Sequence, residues 1–95
     1  DLTWGGGLTM GHRILNQAAD AGIPILPHRG GSVFAMQLVT ASDNCPMAES
    51  FGTGEPGNEM MELLTAPFEH GSYLPPTQPG MGVTIPDKLA RKYGF

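Results

Sequence analysis

The sequence predicts an α/β domain in which helices alternate with short parallel strands. Over residues 1–49, short apolar runs alternate with segments of helical periodicity. Asp1, His28 and Glu49 lie at or near the predicted ends of such runs. If each of them ends a strand, all three face one rim, because the carboxyl ends of parallel strands meet at one edge of a sheet or barrel.

The composition limits the possible classes of protein. The 95 residues suffice for one small domain, and 14 Gly with 9 Pro predict many turns and few long elements. A formal net charge of −4 argues against a nucleic-acid partner. The single cysteine cannot form an internal disulfide, which favours a reducing cytoplasm. No apolar run is long enough to span a bilayer.

The first helix is predicted over residues 10–21. Residues 1–4 are typical of a strand end, and the glycines that follow them predict a tight turn. Thr9 is the expected N-cap, after which apolar residues recur at helical spacing. Gly22 is a natural C′ residue, and Pro24 prevents the helix from continuing.

A buried strand and a second helix are predicted next. Residues 23–26 form a short apolar run typical of a strand buried on both faces, and it leads to His28. Ser32 is a good N-cap for a helix over residues 33–42, which is apolar most of the way round. We expect this helix to pack against protein outside this sequence.

The second half of the chain is punctuated by Pro and Gly, so we expect short pieces there. They are a short strand at 47–51, a loop at 52–58, a segment at 59–65 that fits helix or strand, extended pieces around a turn at 66–76, a turn into a short strand at 79–85, and a helical turn at 87–92. The chain begins at Asp1, inside what looks like a motif, so we expect a piece of a longer chain.

Four motifs follow one another in a characteristic order. They are Asp1-Leu2-Thr3-Trp4-Gly5-Gly6-Gly7-Leu8-Thr9, Pro27-His28-Arg29-Gly30-Gly31-Ser32-Val33, Pro46-Met47-Ala48-Glu49 and Pro79-Gly80-Met81-Gly82-Val83. Through these motifs the sequence resembles the C-terminal end of the enolase superfamily, in its mandelate racemase branch. Within that branch it is most similar to acid-sugar dehydratases of the rhamnonate dehydratase type.

The resemblance implies a fold and internal boundaries. The fold is the C-terminal portion of a modified (β/α)8 barrel. Residues 1–50 would hold the last β/α units, from the end of strand seven to the strand after helix eight. Residues 51–95 would form a C-terminal extension that packs on the capping domain of the family.

The resemblance also implies a site. His28 and Asp1 match the acid/base dyad of the family, so His28 would remove or return the proton at the carbon next to the substrate carboxylate, or protonate the leaving hydroxyl. Asp1 would fix the tautomer of His28 and stabilise its imidazolium. Glu49 matches the residue that hydrogen-bonds the substrate carboxylate as it becomes an enediolate. Imidazole suits this role because it titrates near neutrality. Arg29 either reaches a substrate carboxylate or points to solvent, and Trp4 either lines the pocket rim or packs beneath it.

The cofactor implied by the resemblance is Mg²⁺. The charged enediolate must be stabilised by a metal and by hydrogen-bond donors. The three Mg²⁺ carboxylates and the second acid/base group of the family fall on earlier strands. We therefore expect no metal ligand within these 95 residues.

Three functions remain open. The first is the C-terminal part of a Mg²⁺-dependent acid-sugar dehydratase, which abstracts the α-proton and expels the β-hydroxyl to give a 2-keto-3-deoxy acid. The second is a racemase, epimerase or cycloisomerase of the same superfamily. The third is an inactive fragment whose apolar second helix serves only for association. The dehydratase would be a hydro-lyase only in the full-length chain, and this piece alone would be inactive.

The expected partners follow from the same reading. They are a small sugar-acid substrate, the remainder of the barrel with its capping domain, and further copies in a homo-oligomer, without nucleic acid or membrane. His12 and His70 are expected on the surface. Cys45 is expected to be a small buried apolar residue, because no adjacent base is evident.

Overall fold

The fold is described here for residues 1–2, 4–50 and 58–95 of a computed structural model. In chain order, its elements are helix α1 (Gly7–Asp20), helix α2 (Val33–Thr40), helix α3 (Glu59–Leu63), strand β1 (Phe68–Glu69), strand β2 (Ser72–Tyr73) and helix α4 (Asp87–Tyr93). Most of the predicted loop at 52–58 lies outside the described residues. The described part contains no parallel sheet, and its two strands form an antiparallel hairpin.

Helix α1 confirms the predicted helix but begins earlier. Gly6 adopts a left-handed conformation (φ 100°) and serves as the N-cap, so the predicted cap at Thr9 is wrong: Thr9 lies inside the first turns. At the other end, Gly22 has φ +68°, and the Ile23 N–H donates to the Ala18 carbonyl at 2.8 Å. This is the C-terminal closure that the sequence predicted at Gly22.

Helices α1 and α2 pack against each other closely because of one glycine. A Cβ added at Gly11 would overlap the side chains of Leu2 and Leu38. This approach lets Leu15, Leu38 and Cys45 form a buried cluster. Burying a leucine side chain contributes about 1.5–3 kcal/mol. Leu15 and Leu38 therefore stabilise the packing of α1 against α2.

The predicted apolar face of α1 is buried only in part. Ala18 is buried, as predicted, whereas Met10 and Ile14 are exposed. The buried stripe instead includes Gly11. Most residues of α1 are therefore exposed in the described part of the chain.

Helix α2 begins as predicted. The Ser32 Oγ accepts a hydrogen bond from the Ala35 N–H at 3.2 Å, which confirms Ser32 as the N-cap. The helix ends at Thr40, before the predicted end at residue 42. The helix is largely covered within this chain, since its buried residues are Val33, Ala35, Met36 and Leu38.

The predicted strand at residues 23–26 is not found. A parallel strand needs neighbours whose backbone completes its ladder. In the described part, the run makes one such contact, from the Ile25 N–H to the Asn44 carbonyl at 2.8 Å. Ile23 and Leu26 are exposed. The predicted strand end at residues 1–4 and the strand at 47–51 are also absent from the described residues in those ranges.

The second half returns to the start of α2. The Ala66 N–H donates to the Gly31 carbonyl at 2.8 Å, and the Val33 N–H donates to the Leu64 carbonyl at 2.9 Å. Helix α3 resolves the ambiguous segment as a helix, capped by the Asn58 side chain. The paired segment places the following hairpin beside the turn that precedes α2.

The hairpin and the last helix agree with the sequence. Strands β1 and β2 pair Phe68 with Tyr73, as expected for extended pieces around a turn. Helix α4 confirms the predicted helical turn and extends to Tyr93, where Gly94 closes it with φ 80°. The short strand predicted before it, within residues 79–85, is not formed.

The described helices are all short. The longest, α1, has 14 residues, whereas a bilayer span needs about 20. None of the helices in the described ranges combines the length and the apolar character that crossing a membrane requires.

Candidate active site

The structure brings together the three side chains that the sequence placed at one rim. His28 Nε2 lies 3.8 Å from Asp1 Oδ2, and His28 Nδ1 lies 2.9 Å from Glu49 Oε2. The imidazole thus stands between two carboxylates, one facing each ring nitrogen. Asp1 and His28 therefore lie close together, and their roles in the chemistry stay predictions.

The two carboxylates differ in their distance from the ring. Glu49 is within hydrogen-bonding distance of Nδ1, whereas 3.8 Å separates Asp1 from Nε2. The side chains of His28, Asp1 and Glu49 are 48%, 23% and 44% exposed. The site is therefore reachable from solvent, and Asp1 is its most covered member.

The backbone of the turn after His28 fixes the Glu49 carboxylate. The Arg29 N–H donates to Glu49 Oε2 at 3.0 Å, so the same oxygen contacts both the imidazole and the main chain. Arg29 adopts φ +52°, which is unusual for a residue with a side chain.

A close backbone approach brings the Glu49 segment to that turn. A Cβ added at Gly30 would lie 2.9 Å from both the Ala48 Cα and the Glu49 backbone nitrogen. The Gly31 N–H also donates to the Glu49 carbonyl at 3.3 Å. Only glycine fits this position without moving the main chain, so Gly30 supports the position of Glu49.

The two predicted substrate-binding residues are placed differently. Arg29 lies within the site through its backbone, and its residue is exposed. Trp4 is 90% exposed, so in the described part of the chain it does not pack beneath the pocket. Its alternative place on the pocket rim stays a prediction.

The residues present do not fit a magnesium site by themselves. In residues 1–2, 4–50 and 58–95, no group of three or more His, Cys, Asp or Glu side chains could hold a metal ion. Asp1 and Glu49 face opposite nitrogens of one imidazole and do not converge on a common point. Octahedral Mg²⁺ needs oxygen ligands that converge, which this arrangement does not supply.

One contact of the site was missed by the sequence reasoning. Tyr73, on β2, donates its hydroxyl to Ser50 Oγ at 2.8 Å, next to Glu49. The sequence offers only a weak indication of this contact, namely that Tyr73 is an aromatic residue after a predicted turn. Sequence alone does not show which distant segment a hairpin residue will contact.

The remaining candidates lie where the sequence placed them. His12 and His70 are exposed, and the His12 ring lies 3.4 Å from the side-chain amide of its helical neighbour Asn16. Cys45 is 6% exposed and joins the apolar cluster. Burial raises the pKa of the Cys45 thiol, which lowers its reactivity.

Comparison with known proteins identifies a family and a curated relative. The family described as enolase C-terminal domain-like has a model that matches residues 1–89. The arabinonate dehydratase of Saccharolobus solfataricus is 29% identical over 96 residues, which cover 98% of this chain and 26% of the relative. The chain thus spans about a quarter of the length of this curated relative. No solved structure matches the chain at a significant level.

Proposed function

This chain belongs to the enolase C-terminal domain-like family, and we propose that it is the C-terminal part of an acid-sugar dehydratase. The observation that carries the proposal is the imidazole of His28 between the carboxylates of Asp1 and Glu49. The arabinonate dehydratase relative supports a hydro-lyase that acts on a sugar acid. The rhamnonate-type substrate stays a prediction.

The proposed proton transfer uses His28 Nε2. Glu49 accepts from the Arg29 N–H, and its nearness to Nδ1 favours the tautomer that carries its proton there. In that tautomer Nε2 is the basic nitrogen. It removes the proton from the carbon next to the substrate carboxylate, and Asp1 stabilises the resulting imidazolium by charge.

The proposed dehydration then proceeds by loss of the β-hydroxyl. The electron pair released from the α carbon expels the hydroxyl at the next carbon, which takes the proton held by the His28 imidazolium and leaves as water. Tautomerisation of the enol gives the 2-keto-3-deoxy acid. Glu49 serves this chemistry by orienting His28 and by facing the substrate carboxylate.

The rest of the assembly belongs to the same proposal. We place the Mg²⁺ ligands, the second acid/base group and the capping domain in protein outside residues 1–95, as the resemblance to the mandelate racemase branch implies. Residues 51–95 are proposed as the extension toward the capping domain, and the functional state as a homo-oligomer. The one buried cysteine supports a reducing cytoplasm.

The test uses the full-length protein that carries this chain. It is incubated with Mg²⁺ and a panel of acid sugars that includes arabinonate and rhamnonate, and 2-keto-3-deoxy acid is measured. We expect turnover of at least one acid sugar, lost in His28→Asn and retained in the surface control His12→Asn. Inversion of the α carbon without loss of water would instead establish the racemase or epimerase alternative, and no reaction with any acid sugar would contradict the proposal.

A further inference from the structure

The hairpin β1–β2 reaches the candidate active site from a distant part of the chain. The Tyr73 hydroxyl donates to Ser50 Oγ at 2.8 Å across 23 positions of sequence. Ser50 directly follows Glu49, whose carboxylate lies at His28 Nδ1. The Tyr73 hydroxyl therefore connects the hairpin to the residue next to Glu49.

The Tyr73 ring also covers the other side of the same junction. A Cβ added at Gly31 would overlap this ring, so the ring lies directly over the Gly31 backbone. The Gly31 N–H donates to the Glu49 carbonyl at 3.3 Å. Tyr73 thus contacts both segments that meet at the site: the turn after His28 and the Glu49–Ser50 segment.

Tyr73 is itself held in place by its own hairpin. Its ring meets the ring of Phe68 edge-on, with centroids 5.0 Å apart and planes at 63°. The Leu74 N–H donates to the Pro67 carbonyl at 2.8 Å beside it. The residue is partly buried, although most of the hairpin is exposed.

We propose that Tyr73 is a positioning residue for Glu49. Its hydroxyl holds Ser50 while its ring holds Gly31, and together they keep the Glu49 carboxylate against His28 Nδ1. The catalytic consequence of this contact rests on the proposed function, whereas the positioning itself does not.

The physical need for such an anchor follows from exposure. The side chains of His28 and Glu49 are 48% and 44% exposed, so water competes for their hydrogen bond. A glutamate side chain also loses rotamer freedom when it is fixed. Because Tyr73 on the hairpin anchors the neighbouring Ser50, the Glu49 side chain has fewer accessible conformations.

Hydrogen exchange in the full-length protein tests the positioning without any substrate. The probe is the peptide segment that contains the Arg29 and Gly31 amides, both of which donate to Glu49. In Tyr73→Phe the ring remains and the hydroxyl is lost, and Ser50→Ala removes its acceptor. We expect exchange of this segment to accelerate about twofold to tenfold in each variant, the range that one hydrogen bond supplies.

The matched control is Tyr93→Phe, which removes the same atom from a tyrosine on α4. It should leave exchange at the site segment unchanged. The double variant Tyr73→Phe/Ser50→Ala should exchange no faster than Ser50→Ala alone, because the Tyr73 hydroxyl then has no Ser50 acceptor to lose. Exchange in Tyr73→Phe equal to that of the wild type overturns the proposal.

A kinetic cycle tests whether Tyr73 acts through Glu49. We expect Tyr73→Phe to lower kcat about twofold to tenfold with little change in KM. In a Glu49→Gln background, the same substitution should have no further effect on kcat. An equal loss in both backgrounds would assign Tyr73 a general structural role and overturn the proposal. If the wild type turns over no acid sugar, the proposed function fails, and the exchange experiment still decides the positioning.

Discussion

Two clusters of ionisable side chains share one arrangement, a central residue between two partners, but they differ in what holds them. At the candidate site, His28 lies between two carboxylates. At the α3–α4 contact, Glu59 lies between Lys88 and Lys92, at 3.1 and 2.8 Å. The His28–Glu49 distance of 2.9 Å lies between these two, so distance alone does not distinguish a site from a surface contact.

The difference lies in the backbone around each cluster. Glu49 also accepts from the Arg29 N–H, and Gly30 brings its main chain close. Glu59, in contrast, is joined to α4 by the long side chains of Lys88 and Lys92. Fixing those side chains opposes the pairing by entropy. Backbone support is therefore what marks the first cluster as a place where chemistry can be positioned.

The pKa of Glu59 shows what the second cluster does. Hydrogen bonds from Lys92 and then Lys88 lower the pKa of the Glu59 carboxyl, and Glu59 in turn raises the pKa of Lys92. The side chains of Lys88 and Lys92 are exposed and that of Glu59 is partly exposed, so salt screens the effect. The cluster ties α3 to α4 through side chains at the surface.

Among the variants that keep His28, the largest effect is expected from Asp1→Asn in the full-length protein. Loss of the carboxylate at Nε2 removes the charge that stabilises the imidazolium, so kcat for acid-sugar turnover should fall about 100-fold. The measurement is steady-state kinetics with Asp43→Asn, an exposed aspartate, as the control. Equal activity of Asp1→Asn and the wild type would remove Asp1 from the site.

Gly30→Ala should break the backbone support directly. Its Cβ would meet main-chain atoms of residues 48 and 49, which cannot move aside, and overpacking of this kind costs about 1–3 kcal/mol. Urea unfolding and kcat should both show losses. Gly22→Ala is the comparison, because that glycine has φ +68° with open space around it. It should lose stability and keep kcat, and the same pattern in Gly30→Ala would contradict the account.

Removing the helix caps sharpens the same contrast. Ser32 caps α2 directly after the site turn, and Asn58 caps the five-residue α3, in which no residue is buried. Ser32→Ala should lower the free energy of unfolding by about 1 kcal/mol. Asn58→Ala should have a smaller effect by denaturant titration. A larger loss at Asn58 would show that the second region carries more of the fold than its burial indicates.

The smallest effect is expected from Glu59→Gln, and its sign depends on pH. Because the folded-state pKa of Glu59 is lowered, its stabilisation is present above the unfolded value and is lost as the pH falls through the folded value. The difference between wild type and variant should thus be found at neutral pH and vanish at about pH 3 or in high salt. A difference that persists in acid would contradict this assignment.

The helices could be predicted because their signals are local. Ser32 caps α2, and Gly22 ends α1, since each acts on backbone groups a few residues away. The start of α1 was missed because Gly6 rather than Thr9 ends the preceding turn. The apolar pattern of residues 23–26 favours a strand, but a strand exists only where neighbours complete its ladder.

The site shows the same division between local and distant information. Asp1, His28 and Glu49 were placed together through the resemblance of their motifs, and the geometry agrees. Tyr73 could not be assigned, because its contact with Ser50 depends on how residues 64–66 return to residues 31–33. No spacing in the sequence encodes that return.

Exchange of the α-proton of an acid-sugar substrate with D₂O, followed by NMR in the full-length protein with Mg²⁺, tests the role of His28 most directly. The wild type and His12→Asn should incorporate deuterium at equal rates, while His28→Asn should be slower by about 10³-fold. Deuterium incorporation by His28→Asn at the wild-type rate would show that the imidazole between Asp1 and Glu49 does not move the proton.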